Sequence, residues 1–256
     1  MENRFKVRYS QRVVLPESLK GRIAVKSCLA YRKEQQVYLV QDEKKALCIL
    51  KIAGGRQAAF LQKEVKLLQQ LDFSFLPECR FFMKTEQSAY MLREYIKGDT
   101  LWERVEKCGP YPVQESAEVM LRLCKIISQL HAQKPPLIHR DIKPQNFVVT
   151  PEKNLFLLDM GTVRRYKKGR VQDTVPLGTR MTAAPEQYGY CQTDIRVDIY
   201  ALGVVWFYLL TGTMNMSGYK GWKKYPEDCR RIIQKCTKMD PEDRYRSCQE
   251  LEKVIE

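Results

Sequence analysis

Residues 139–146 read His-Arg-Asp-Ile-Lys-Pro-Gln-Asn, and their types and spacing describe a piece of acid–base and metal chemistry. A carboxylate, Asp141, is followed by a lysine at 143 and an asparagine at 146, all on one short stretch closed by a proline. On a tight loop, that order lets Asp141 accept a proton from a hydroxyl while the Asn146 side chain faces a metal ion. Further on come Asp159, Met160 and Gly161, directly after the apolar run Leu155–Leu158. A carboxylate at a strand end, followed by a glycine that permits a sharp turn, suits a magnesium ligand. Both features at this spacing would rarely arise by chance. The chemistry they describe is proton acceptance from a hydroxyl beside a bound metal ion.

Positioning such residues takes a defined set of elements. The first third of the chain is rich in alternating, β-branched segments: 37–40, 46–52 and 90–96 read as strands. Between them, 57–71 carries Phe60, Leu61, Val65, Leu67, Leu68 and Leu71 at helical spacing. After residue 96 the pattern turns mostly helical, with helices expected at 115–131, 198–210, 226–239 and 247–256. Short strands at 147–149 and 155–158, and a long loop, lie between the first and second of these helices. The organisation is α+β: a small β-rich lobe with one helix, then a larger helical lobe, with a hinge near 94–98. The boundaries this gives are a basic extension or first strand over 1–24, a small lobe over 25–95 and a large lobe over 96–256.

Within this frame the residues resemble those of the eukaryotic-type protein kinase superfamily, and most of all its bacterial Ser/Thr branch. HRDIKPQN is similar to the catalytic loop of that family, and Asp159-Met160-Gly161 to its D-F-G motif with methionine for phenylalanine. Ala184-Pro185-Glu186, within TAAPEQYG, matches A-P-E, and Lys51 in CILK stands where the strand lysine of V-A-I-K belongs. The resemblance covers roughly residues 25–256 and implies a bilobal protein-kinase-like fold. It implies ATP as phosphoryl donor, Mg2+ as cofactor and a protein Ser/Thr hydroxyl as acceptor. Asp141 would accept the hydroxyl proton and Lys143 would neutralise the moving phosphoryl group. Asn146 and Asp159 would hold magnesium, and Lys51, paired with Glu64, would grip the α- and β-phosphates. Glu94 and Ile96 would meet adenine through their backbones, between Val37 and Val148. Thr179 would hydrogen-bond the catalytic loop, Asp198 would brace that loop, and Arg244 would pair with Glu186.

Other features depart from the resemblance. The glycines of G-x-G-x-x-G should fall at Ala30, Arg32 and Gln35, and none is glycine. Those side chains must obstruct the phosphates or contact them in the glycines' place. Ile49 stands where a small alanine normally roofs the base, and Arg93 where an apolar gatekeeper is expected. A buried arginine needs a carboxylate such as Glu64, or a route to solvent. The stretch 211–225 has no room for the helix usual at this point, and Trp222 there either caps the exposed core or simply packs. A catalytically silent scaffold and a small-molecule kinase therefore stand as alternatives.

Bulk composition bounds the rest. The net charge is +14, with basic clusters over 1–33 and 164–170, which suits an acidic partner or a solvated basic face. Nucleic acid is not the partner expected for these charges. Nine cysteines without a paired spacing point to reduced thiols and a cytoplasmic setting, in a chain that could be the catalytic part of a longer protein. No secretory leader is legible at the N-terminus, and the longest apolar run, 200–210, is too short to span a bilayer. His131, Cys48 and Cys124 read as core residues. Thr174, among basic residues, is a candidate phosphorylation site whose phosphate would pair with Arg140.

Overall fold

A computed structural model describes residues 13–166, 181–188 and 193–256. The chain divides into two compact units, one running to Lys97 and taking in Asp159–Gly161, the other made of Gly98–Leu158 and Thr162–Glu256.

The first unit is an antiparallel sheet of β1 (Ile23–Arg32), β2 (Gln35–Asp42), β3 (Leu47–Gly54), β4 (Cys79–Lys84) and β5 (Ser88–Glu94), in the order β1-β2-β3-β5-β4. Successive side chains of a strand point to opposite faces. Cys48, Leu50 and Ile52 of β3 accordingly join Tyr38, Val40, Tyr90 and Leu92 in one core, and Leu19 from the segment before β1 closes over it. On the other face Ala53, Ala89 and Met91 meet Ala58, Leu61 and Val65 of helix α1 (Gly55–Gln70). With both faces covered, β3 is apolar nearly throughout, and Lys51 is the charged exception within it.

β1 and β2 form a hairpin whose turn is Lys33 and Glu34, with Arg32 paired to Gln35 and Ala30 to Val37. The three positions where glycines were sought are thus ladder residues. The hairpin tip is tied back to the start of α1. The Gly54 N–H donates to the Glu34 carbonyl at 2.9 Å. Gly55 has φ +50°, and a Cβ there would come within 2.9 Å of the Glu34 carboxylate. The positive φ is the reason this junction favours glycine, since the Glu34 carboxylate, at the end of a flexible side chain, could move aside.

The second unit holds β6 (Asp99–Thr100), α2 (Leu101–Cys108), α3 (Val113–His131), β7 (Leu137–Ile138), β8 (Phe147–Val149), β9 (Leu155–Leu157) and β10 (Arg164–Arg165), then α4 (Arg196–Thr211), α5 (Glu227–Cys236) and α6 (Cys248–Ile255). Helix α4 is buried almost all round, from Val197 to Leu210, which is why its sequence shows no amphipathic stripe. A Cβ on Gly203 would lie 2.4 Å from the Cys236 Cβ, so the glycine lets α4 and α5 approach closely. Trp206 donates its indole N–H to Ser116 Oγ at 3.0 Å, which satisfies both buried groups. Past α4 the chain makes only a short 3-10 turn, Trp222–Lys224, before α5. Trp222 packs edge-on against Phe207 at 5.0 Å between ring centres and does not cap the core alone, since Tyr219 and Tyr225 flank it. Among the described residues no helix is long and apolar enough to cross a membrane.

Candidate active site

The loop after β7 is fixed chiefly through its backbone. The Asp198 carboxylate, fully buried at the start of α4, accepts the N–H groups of His139 and Arg140, each at 2.8 Å, and the His131 ring at 2.9 Å. Burial alone would raise this carboxyl, but the His131 bond, the nearby histidine charges and the Arg140 N–H outweigh it and hold the group below its ordinary range. The carbonyls are engaged as well. The Gln187 amide donates to the Arg140 carbonyl at 2.8 Å, and the Thr162 hydroxyl donates to the His139 carbonyl at 2.9 Å. Arg140 sits at φ 68°, a strained value for a residue with a side chain. Its guanidinium donates twice to the Thr162 carbonyl, at 3.0 and 2.8 Å, which helps hold that conformation.

This frame presents three side chains together. Lys143 Nζ donates to Asp141 Oδ2 at 2.6 Å. The Asn146 amide donates to the Asp141 carbonyl at 2.8 Å, which leaves the Asn146 side-chain oxygen as an acceptor. A short 3-10 turn, Pro144–Asn146, sets this spacing before β8 begins. Elsewhere in the unit Arg244 grips Glu186 with two bonds, 2.6 and 2.9 Å, and both residues are buried. Arg244 also donates to the Lys238, Met239 and Arg196 carbonyls. A buried fork of this kind fixes the segment around Pro185–Tyr188 firmly. Val148 is buried in β8. Thr174 and Thr179 lie outside the described residues.

The first unit carries the second charged cluster. Lys51 Nζ donates to Glu64 Oε1 of α1 at 2.7 Å and lies 3.6 Å from Asp159 Oδ2. Burial pushes the Glu64 carboxyl up, and Lys51 opposes that rise. The Gly161 N–H donates to Asp159 Oδ1 at 2.9 Å, and a Cβ at 161 would crowd that oxygen at 3.2 Å. The glycine after Asp159 therefore has a steric reason. Val37 pairs with Lys51 across the β2–β3 ladder, and Ile96 is buried just past β5.

Arg93 and Ile49 lie opposite each other on β5 and β3, and both are buried. The expectation that Arg93 reaches a carboxylate or solvent needs correction. Its hydrogen bond goes from Nη1 to the carbonyl of Glu94 at 3.2 Å, and its Nε is buried without a partner. Burial lowers its proton affinity, which the charges of Glu64, Asp159 and Glu94 partly restore.

Asp159 in the first unit and Asn146 in the second each carry a side-chain oxygen of the kind magnesium takes, and among the described residues no group of three or more His, Cys, Asp or Glu side chains could hold a metal ion. Magnesium commonly uses one or two protein oxygens together with substrate phosphates and water, not a full protein cage. Two supports were not read from the sequence as site residues, Thr162 and Gln187. Their signal is only adjacency, one following Asp159-Met160-Gly161 and the other following Pro185-Glu186.

Comparison with known proteins places these features in one class. The protein kinase domain model matches residues 33–254. The chain belongs to the protein kinase family. It is 32% identical over 185 residues to serine/threonine-protein kinase F of Synechocystis, covering 67% of this chain and 37% of that protein. It is 26% identical over 269 residues to serine/threonine-protein kinase PrkC of Bacillus subtilis, covering 95% of this chain and 41% of PrkC. Against serine/threonine-protein kinase PknB of Mycobacterium leprae it is 28% identical over 182 residues, 63% of this chain and 29% of PknB. The chain thus spans well under half the length of these curated relatives.

Proposed function

We propose that this chain transfers the γ-phosphoryl group of a magnesium-bound nucleoside triphosphate, ATP by family resemblance, to serine or threonine hydroxyls of a protein. The observation that carries this reading is the Asp141–Lys143 contact at 2.6 Å on a loop whose His139 and Arg140 amides and carbonyls are held by other groups. Phosphoryl transfer depends mainly on positioning and on neutralising charge, and this loop supplies both.

In this reading Asp141 orients the acceptor hydroxyl and takes its proton. Lys143 neutralises charge on the phosphoryl group and, as the lysine of the Ser/Thr-type loop, favours Ser/Thr acceptors. Lys51, held by Glu64, binds the α- and β-phosphates. Magnesium, when bound by Asp159 and the free oxygen of Asn146, would offset the triphosphate charge. Val37, Glu94, Ile96 and Val148 serve the base. Residues 25–95 and 96–256 are read as the two lobes of one kinase domain. Thr174 is read as a regulatory phosphorylation site and Thr179 as a further tie to the catalytic loop. The basic excess favours an acidic partner, and eight free thiols among the described residues favour a reducing, cytoplasmic setting.

One observation favours a second reading. The β1–β2 turn lacks the glycines that let backbone N–H groups approach phosphates, as a nucleotide-binding scaffold without catalysis would tolerate. A transfer assay with γ-labelled nucleotide and magnesium separates the two, with Asp141→Asn as control. Label on wild-type protein or an added protein substrate, lost in the variant, supports the enzyme. Nucleotide binding without label supports the scaffold.

A further inference from the structure

His131 closes helix α3 with both of its ring nitrogens engaged. Nε2 faces Asp198 Oδ2 at 2.9 Å, and Nδ1 faces the Sγ of Cys248, the first residue of α6, at 3.8 Å. Cys124, Cys248 and Asp198 are fully buried, and His131 nearly so. The Asp198 carboxylate also takes the His139 and Arg140 N–H groups and can only accept, so the His131 Nε2 must bring a proton to it. In the neutral ring that leaves Nδ1 bare, and the thiol opposite is then the donor. The thiol keeps its proton, because the neighbouring Cys124 thiol and then burial push it well above the usual thiol range. The titratable groups about the ring are Asp198 of α4, His139 of the loop, Cys124 of α3 and Cys248 of α6. The Glu252 carboxyl, one turn along α6, acts on Cys248 as well.

We propose that Cys248 is a positioning residue: its S–H donates to His131 Nδ1, fixes the ring as the Nε2–H tautomer and so holds Asp198 on the amides of the 139–146 loop. Which nitrogen of a histidine carries the proton is set by the bond that the other one makes. A thiol is a weak donor, but in a site shielded from solvent even a weak bond is strengthened. The line of contacts runs from α6 to α3, from α3 to α4, and from α4 to the backbone of His139 and Arg140. The bond belongs to the helical unit itself, and its bearing on transfer rests on the kinase reading.

The chain has two histidines, 131 and 139, so nitrogen-15 NMR of the full chain labelled at histidine reports on both rings. At about pH 8, above the ordinary histidine range, His131 should show a protonated Nε2 and a bare Nδ1. A proton on Nδ1 overturns the proposal, and this measurement needs no variant. Amide hydrogen exchange then follows the effect to the loop. In Cys248→Ala the His139 and Arg140 N–H groups should exchange about three- to tenfold faster than in wild type, while amides in the middle of α4 keep their rates. Cys248→Ser, which restores a donor, should recover part of the difference. Unchanged exchange at 139 and 140 overturns the proposal. A rise spread evenly over α3, α4 and α6 in both variants does so too, because the thiol would then only fill space. In the transfer assay Cys248→Ala should lower kcat by a similar factor and leave KM for the nucleotide within about twofold. An unchanged kcat, or a loss carried by KM instead, overturns the positioning role. If wild-type chain transfers nothing, the kinase reading fails by itself, and the NMR and exchange results still decide what Cys248 does.

Discussion

The loop of Asp141 and the cluster of Lys51 are both built to hold charge, yet they are held in different ways. Around Asp141 one buried carboxylate, Asp198, gathers two backbone N–H groups and a histidine, and Gln187 and Thr162 take up the adjoining carbonyls. Most of these bonds are directional and involve backbone, so geometry is fixed before any ligand arrives. Around Lys51 the arrangement is side chain to side chain: Lys51 bonds Glu64 and lies near Asp159, and the charge of Arg93 bears on both carboxylates without a bond to either. Such a cluster can exchange partners without unfolding the strands that carry it. The contrast teaches that a backbone-braced loop tolerates little change, while a cluster of side chains can absorb a substitution such as the arginine at 93.

Removing the brace should produce the largest effect. Asp198→Ala leaves two buried N–H groups unpaired and should cost about 3–5 kcal/mol of stability, read from urea unfolding. Loss of less than about 1 kcal/mol would break the contrast, since the loop would then be held by something else. In the first unit, Lys51→Met should cost less than that, because Arg93 remains near Glu64. The pair Lys51→Met and Arg93→Met should exceed the sum of the single effects by roughly 0.5–3 kcal/mol in a double-mutant cycle. Simple additivity would show that the two cations do not share the carboxylates. A smaller change, Gln187→Ala, removes one bond to the Arg140 carbonyl and one from the Ala184 N–H. It should cost about 1–2 kcal/mol and lower the transfer rate without altering nucleotide affinity.

Acid should separate the two regions most finely, because their key carboxyls move in opposite directions. Asp198 is held below its ordinary 3.8, so its contribution is present above that value and is lost as pH falls through the lower folded value. Glu64 is raised above its ordinary 4.5, so the fold favours its protonated form. That contribution is full below 4.5 and is lost as pH rises through the folded value. Unfolding midpoints taken from about pH 6 down to pH 3 should therefore show Asp198→Asn losing less stability in acid than wild type, and Glu64→Gln losing more.

Much of this was legible in the sequence, and the physical reasons for the rest are specific. The 139–146 loop and the Asp159 turn are local, so spacing alone reveals them. Helix α1 follows the apolar period of 57–71 to within a turn, and β3 and β5 overlap the runs 46–52 and 90–96. Strand β4 was missed because its sequence, Cys-Arg-Phe-Phe-Met-Lys, does not alternate apolar and polar residues. Helix α2 was missed because it is short, although Thr100 and Glu103 form a capping box that marks its start. The partner of Arg93 was not legible, since a bond to the neighbouring carbonyl leaves no trace in residue types. The charge balance around Lys51 and Glu64 likewise depends on which strand faces come together, and only the fold decides that.

The central claim is phosphoryl transfer by the Asp141 loop, and mass-spectrometric site mapping after incubation with magnesium and nucleotide tests it most directly. Wild-type chain should acquire phosphoserine or phosphothreonine, on itself or on an added protein, and Asp141→Asn should acquire none while keeping its unfolding midpoint. Phosphorylation that persists equally in Asp141→Asn, or a wild-type chain that binds nucleotide and modifies nothing, would contradict the account.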